Sequence, residues 1–278
     1  MKFKVSCELS YTVKSPSTFI FNIHAFKSPN QIILEEYQHL EPFITSEELD
    51  SLTENRFLRV VVDKPTDLKI SYTATVDSFH QELDMAEVNA VMVKQLDGDM
   101  LPYIFASRYA QSDKLMRLAQ DKFSHIQSPY ETVVAITEWI HKNVEYVSGS
   151  TDAQTSAFDT VTERTGVCRD FAHLGIALCR AMNIPARYFT GYAYQLVPQD
   201  FHACFEAYIG GVWILFDATK LVPLNGLVKI ASSLDAAQAS VSSIFGNVKS
   251  IGYTVNCEAL EPFVPFVMDP NKLVGIAY

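Results

Sequence analysis

The sequence predicts an α+β protein in which an N-terminal antiparallel β-sandwich precedes a unit of helices packed on a second antiparallel sheet. Three observations carry this. Period-two apolar alternation dominates the first hundred or so residues, helical spacing replaces it near residue 112, and strand patterning returns beyond Pro185. Strands in one run and helices in another, without strict alternation, imply segregated layers rather than a parallel doubly wound sheet. We expect a β-sandwich domain over residues 1–108 and an α+β domain over 109–278.

"KFKVSCELSYTV" and "RFLRVVVDKPTDLKISYTATVDSF" alternate apolar and polar residues, with Asp63–Lys64–Pro65 as the turn inside the second. An antiparallel sandwich buries one face of each strand. "TSEELDSLTEN" reads as an acidic loop leading into a strand. Ser112 is a cap for a helix over "DKLMRLAQDKF". Ser128–Pro129–Tyr130–Glu131 combines a capping box with proline at the first helical position, and Val133, Val134, Ile136, Trp139 and Ile140 follow at helical spacing. "TSAFDTVTER" reads as a third helix stopped by Gly166. "ARYFTGYAY", "HACFEAYIG" and "VWILFDAT" read as strands, the last two joined through Gly210–Gly211 as a hairpin. A helix over "SLDAAQASV" and a strand near "KSIGYTVNCEAL" complete the tail.

The chain has 278 residues and a formal charge of −10, with no long basic run. Nucleic acid, whose phosphates demand clustered lysine and arginine, is therefore not an expected partner. No stretch approaches the roughly 18 uninterrupted apolar residues of a membrane helix, and the N-terminus lacks the solid apolar core of a secretory signal. Five cysteines without CxxC spacing do not form a disulfide framework. These features lead us to expect a soluble cytoplasmic protein with reduced thiols, no membrane partner and no cofactor. Composition leaves oligomeric state open.

One thiol stands apart. Cys168 follows Gly166 and opens a helix whose Phe171, Leu174, Leu178, Ala181 and Met182 form an apolar stripe. The free N–H groups and positive dipole end of a first helical turn favour an anion there, and so a nucleophilic thiolate. Gly166 would leave room for a substrate backbone to approach. A thiolate needs a proton carrier and a group to orient it. His202 opens one strand of the glycine-turn hairpin and Asp217 closes the other. The carboxylate can take one imidazole N–H and leave the second nitrogen toward sulfur, giving a Cys168–His202–Asp217 constellation.

Blander roles fit the other groups. Cys7, Cys179 and Cys257 read as small buried hydrophobes, and Cys204, on the strand face of His202, as filler. His173 reads as a packing or hydrogen-bonding histidine, and Tyr192 as core. Arg169 and Asp170 read as a helix-start ion pair or cap. Zinc held by Cys168, His202, Cys204 and Asp217 is a chemical rival. Structural zinc sites, however, carry paired short spacings, and neither CxxC nor HExxH occurs, so we expect no metal.

"GVCRDFAHLGIALCRAMNIPARYFTGYAY" and "DFHACFEAYIGGVWILFDATK" together resemble the bacterial transglutaminase-like family of the papain-like cysteine protease superfamily. The resemblance runs through roughly residues 112–222 and on to "KIASSLDAAQAS", and "ENRFLRVVV" is similar to the β-domain that precedes this core in many bacterial members. It implies a papain-like, transglutaminase-like core, with Cys168 as nucleophile, His202 as base and later acid, and Asp217 as orienting carboxylate. The chain departs from the family pattern at "FDAT", where proline commonly follows the aspartate, and at Cys204, where tryptophan often follows the histidine region. The second change reshapes the pocket wall.

Several chemistries follow from such a site: cysteine proteolysis of a protein or peptide substrate through a thioester, deamidation, or acyl transfer to an amine. Hydrolysis is preferred because transfer needs a second site that excludes water. No D-x-[DN]-x-[DN]-G loop occurs, so calcium activation is not implied. A binding module that has lost activity is the alternative of a different class; a sealed Cys168 or an averted His202 would favour it.

Overall fold

A computed structural model describes residues 1–50, 55–86, 88, 91–266, 268–269 and 272–278. In chain order the strands of the first part are β1 (Lys2–Val13), β2 (Ser17–Phe21), β3 (Gln31–Glu41), β4 (Ser46–Asp50), β5 (Arg56–Val62), β6 (Thr66–Ser78) and β7 (Gln81–Asp84). Helices follow as α1 (Ser112–Phe123) and α2 (Pro129–Asn143), then strand β8 (Glu145–Tyr146), α3 (Ala157–Glu163), β9 (Thr165–Gly166) and α4 (Cys168–Ala181). The chain closes with β10 (Ala186–Ala193), β11 (Phe201–Ile209), β12 (Val212–Phe216), β13 (Leu227–Ser233), β14 (Ser242–Phe245), β15 (Val248–Ala259) and β16 (Val274–Ala277).

The first layer pair is a β-sandwich of two four-stranded sheets, ordered β15-β1-β6-β3 and β14-β2-β5-β4. Alternation in β1 buries Phe3, Val5, Cys7, Leu9, Tyr11 and Val13. Its antiparallel partner β6 buries Leu68, Ile70, Tyr72, Ala74 and Val76. Tyr11 meets Phe19 and Phe21 of the facing sheet at ring separations of 5.2 and 5.9 Å. The third large sheet, β12-β11-β10-β13, carries the helices.

The division at residue 108/109 needs correction at its C-terminal side. Residues of β14 and β15 return to the first unit, where β15 pairs along the length of β1 and β14 pairs with β2. The sandwich is complete only with strands from the end of the chain. Side-chain amides then dock it onto the helix-bearing sheet. Asn55 donates to the Ser232 carbonyl at 2.7 Å and accepts from the Ser232 N–H at 3.0 Å; Gln31 does the same with the backbone of Lys229. These bonds satisfy buried β13 groups that no neighbouring strand reaches.

Local signals explain most of the helices. Ser128 caps α2 by accepting from the Glu131 N–H at 3.3 Å, with Pro129 first in the helix. Ser112, in contrast, is already inside α1, and Gln111 occupies the cap. Helix α3 stops at Arg164, which takes a left-handed φ of 56°, before Gly166 is reached. Part of the expected acidic loop is strand β4, while residues 51–54 lie outside the described residues. From Asp170 to Ala181, α4 is buried on every face rather than along one stripe.

The segment "SLDAAQASV" forms turns in place of the expected helix. Its polar groups are spent elsewhere. The Asp235 carboxylate accepts from the N–H groups of Tyr109 and Ala237, and the Ala236 N–H donates to His173. Such side-chain bonds compete with helical hydrogen bonding.

Candidate active site

Cys168 is the first residue of α4, as the sequence implied, and Val167 is the residue before the helix. The start is fixed by Asp170. Its Oδ2 accepts from the Val167 N–H at 3.0 Å and from the Thr151 hydroxyl at 2.7 Å, and its Oδ1 pairs with Arg169 at 2.8 Å. Arg169 and Asp170 thus hold the turn that presents the thiol. Gly166 serves the same turn, because a Cβ there would come within 2.9 Å of the Asp170 Cβ.

Helix α4 lies on β11, so close that a Cβ at Gly175 would fall 2.5 Å from the Phe205 ring. This contact brings the start of α4 over the start of β11, where His202 stands. The hairpin through Gly210 and Gly211, both at positive φ, pairs Phe205 with Phe216 and carries Asp217 just past the end of β12. His202 Nε2 donates to Asp217 Oδ2 at 2.9 Å. Asp217 Oδ1 accepts from the Thr219 N–H at 2.8 Å and from the Thr219 hydroxyl at 2.7 Å. The carboxylate is therefore oriented from both sides.

His202 Nδ1 is buried without a hydrogen-bond partner, and besides Asp217 the groups acting on the ring are the thiols of Cys168 and Cys204. Burial opposes the imidazolium, but the Asp217 charge, its hydrogen bond and the sulfur atoms outweigh it and raise the His202 pKa well above its ordinary value. Burial likewise opposes the Asp217 carboxylate, yet the His202 charge and the bonds from His202 and Thr219 leave its pKa lowered.

Cys168 is partly exposed and lines a cleft of about 290 Å³ together with His202, Phe201, Tyr188 and Ser240. Cys7, Cys179, Cys204 and Cys257 are all buried, and burial pushes Cys204 up to about 12. His173 has no part in the cleft. It stacks between Tyr109 and Tyr188 at 4.9 and 5.2 Å, accepts from the Ala236 N–H, and is held neutral by burial, with its pKa lowered to about 3. Tyr192 is buried, and its hydroxyl donates to the Ile23 carbonyl at 2.6 Å.

Of the four groups weighed as zinc ligands, His202, Cys204 and Asp217 bring ligand atoms within 4.8 Å of one another. Within that group the His202–Asp217 hydrogen bond already engages one ring nitrogen and one carboxylate oxygen with each other.

Three groups near the thiol carry no sequence signature. The Tyr146 hydroxyl lies beside the Cys168 backbone N–H, and burial together with Cys168 pushes its pKa up to about 12. Asp200 and Tyr253 meet at 3.0 Å beside Phe201. Thr219, in "DAT", could have been found from the short-range habit of an aspartate to bond two residues on. An isolated tyrosine on a two-residue strand could not.

A papain-like α+β core behind a β-sandwich, with a thiol at a helix start facing a histidine–aspartate pair, defines a thiol-enzyme class. The model of the bacterial transglutaminase N-terminal domain matches residues 1–99, and that of the transglutaminase-like superfamily matches residues 116–218. A solved structure described as a "putative cysteine protease" from Cytophaga hutchinsonii is 57% identical, with a TM-score of 0.97 over 100% of this chain and 97% of that one. The chain belongs to the transglutaminase-like superfamily, in the branch with the bacterial N-terminal domain. An uncharacterized protein of Mycobacterium leprae is 28% identical over 195 residues, a stretch covering 67% of this chain and 61% of that protein. A Mycobacterium tuberculosis protein is 33% identical over 81 residues, 26% of its length. Among the described residues, no helix is long and apolar enough to cross a membrane.

Proposed function

We propose that the chain is a cysteine peptidase or amidohydrolase whose nucleophile is Cys168, with His202 as base and acid and Asp217 as the orienting carboxylate. The observation that carries this reading is the polarity of the His202 ring. Nε2 is committed to Asp217 at 2.9 Å, while the buried Nδ1 has no hydrogen-bond partner and the partly exposed Cys168 thiol acts on the ring. A scaffold that had lost activity would have no need of this arrangement. Similarity to the structure described as a cysteine protease supports it further.

In the first step Nδ1 takes the thiol proton and sulfur bonds to the carbonyl carbon, whose oxygen becomes an oxyanion. The Tyr146 O–H, whose oxygen faces the Cys168 N–H, is the donor we assign to that oxygen. The C–N bond then breaks as the Nδ1 proton passes to the leaving amine, and a thioester remains. Water, deprotonated by Nδ1, attacks the thioester and releases the acid and the free thiol. Asp217 keeps the ring in register and stabilises the imidazolium throughout.

Because the cleft leaves Cys168 in contact with solvent, water is the acceptor we assign. An amine in its place would give transfer, and ammonia leaving from a glutamine side chain would give deamidation. The five free thiols suit a reducing compartment, and we assign the cytoplasm. A proteome-wide peptide screen with the active protein and the Cys168→Ala variant tests the reading. New chain termini dependent on Cys168 are the expected result; glutamine-to-glutamate changes or joined peptides would reassign the acceptor or bond, and identical profiles would overturn it.

A further inference from the structure

We propose that Asp200 is a specificity-determining charge of the Cys168 cleft, selecting a peptide segment that carries a lysine or arginine side chain next to the bond attacked. The proposal rests on the thiol reading above for where that bond lies, and on charge and geometry for the selection. Asp200 stands two residues before His202, at the entry to β11, beside Phe201. Phe201 lines the cleft with Cys168 and His202. Asp200 Oδ1 accepts from the Phe201 N–H at 2.7 Å and Oδ2 from the Tyr253 hydroxyl at 3.0 Å. Both partners are neutral donors; the cation that acts on the carboxylate is His202, whose hydrogen bond goes to Asp217.

The surroundings suit a cation. Tyr253 of β15 packs its ring 6.3 Å from Phe201 and is 54% exposed; Tyr146, on the thiol side, is 43% exposed. Each of these tyrosines lies within electrostatic range of both Cys168 and Asp200, and the Asp200–Tyr253 pair adjoins the cleft through Phe201. A carboxylate flanked by exposed aromatic rings is the chemistry that recognises an ammonium or guanidinium, with the aliphatic stem laid along the rings. Of the basic groups lining the cleft, Arg169 is engaged by Asp170 at 2.8 Å and by the Asp152 carbonyl at 2.6 Å, and His202 by Asp217 at 2.9 Å, so neither is bonded to Asp200. The net charge of −10 adds a long-range attraction for basic peptides.

Binding to the Cys168→Ser variant tests this without turnover. The probes are blocked peptides Ala-Ala-Xaa-Gln-Ala and Ala-Ala-Gln-Xaa-Ala, with Xaa lysine, arginine, norleucine or glutamate, measured by calorimetry. In one register the lysine and arginine peptides should bind roughly tenfold more tightly than norleucine, and glutamate less tightly than either. The preference should shrink as sodium chloride is raised. It should vanish in Cys168→Ser/Asp200→Asn, which keeps the acceptor for the Phe201 N–H, and persist in Cys168→Ser/Tyr253→Phe.

Equal affinity for lysine and norleucine in both registers would overturn the proposal, even if no Asp200 variant folded. So would a preference that survives Asp200→Asn, or an equal weakening of every peptide, the mark of a structural tether. Failure of the thiol reading would appear separately, as unchanged cleavage by Cys168→Ala, and would leave the binding result standing.

Discussion

At the scale of single residues, the site depends on which atom of each side chain is already engaged. Asp217 has both oxygens bonded, one to His202 and one to Thr219, so the imidazole cannot turn without breaking a buried bond. Tyr146 is the residue whose role is most exposed to test. Its hydroxyl sits by the Cys168 N–H, where the oxygen of an attacked carbonyl would become charged. We expect Tyr146→Phe to lower kcat by about 10²-fold with little change in KM, the signature of a donor used only in the transition state. Steady-state kinetics on any cleaved peptide decides this, and an unchanged kcat would remove Tyr146 from the mechanism.

At the scale of elements, the decisive contact is the approach of α4 to β11. Gly175 permits it, since any Cβ there enters the Phe205 ring. Gly175→Ala should cost about 1–3 kcal/mol through overpacking and lower activity beyond the loss of folded protein, because the thiol moves relative to His202. Chemical denaturation combined with active-site titration separates the two effects.

The legibility of the sequence also divides by element. The alternation of β1 and β6, the cap at Ser128 and the glycine hairpin before Asp217 are local signals, and the structure carries each. Strands β2, β3 and β13 escaped because their partners lie far along the chain and set their burial. β13 in particular is buried at every residue and shows no alternation to read. The turn at 234–240 looked helical by composition, but Asp235 and His173 claim its backbone groups. Cys168, His202 and Asp217 could be picked out because each has a characteristic place beside a helix start or hairpin. Asp200, Tyr146 and Tyr253 come together only through tertiary packing, and nothing in sequence joins them.

At the scale of the whole molecule, the sandwich and the helix-bearing sheet act as one body because strands from the end of the chain return to the beginning. An ion cluster lies at their junction. Glu206 of β11 is fully buried, bonded to Arg187 at 2.5 Å and to Lys229 at 3.4 Å, and Lys229 sits over the Phe26 ring of the first unit. Burial opposes ionisation of Glu206, but the two cations outweigh it and hold its pKa at about 2, below its ordinary 4.5. The unfolded chain therefore binds the proton first. The stabilisation is complete above pH 4.5 and is lost as pH falls toward 2. Glu206→Gln, which leaves Arg187 without its carboxylate, should cost about 3–5 kcal/mol at neutral pH. The gap from wild type should close on acidification. Denaturation midpoints measured across the acid range check this; a pH-independent gap would contradict it.

In the reaction we propose, one thiol activated by one imidazole does the chemistry. Mass-spectrometric mapping of limiting iodoacetamide over time tests it most directly. We expect first labelling at Cys168, slowed at least tenfold in His202→Ala. Labelling spread over the other cysteines, or a rate at Cys168 indifferent to His202, would contradict it.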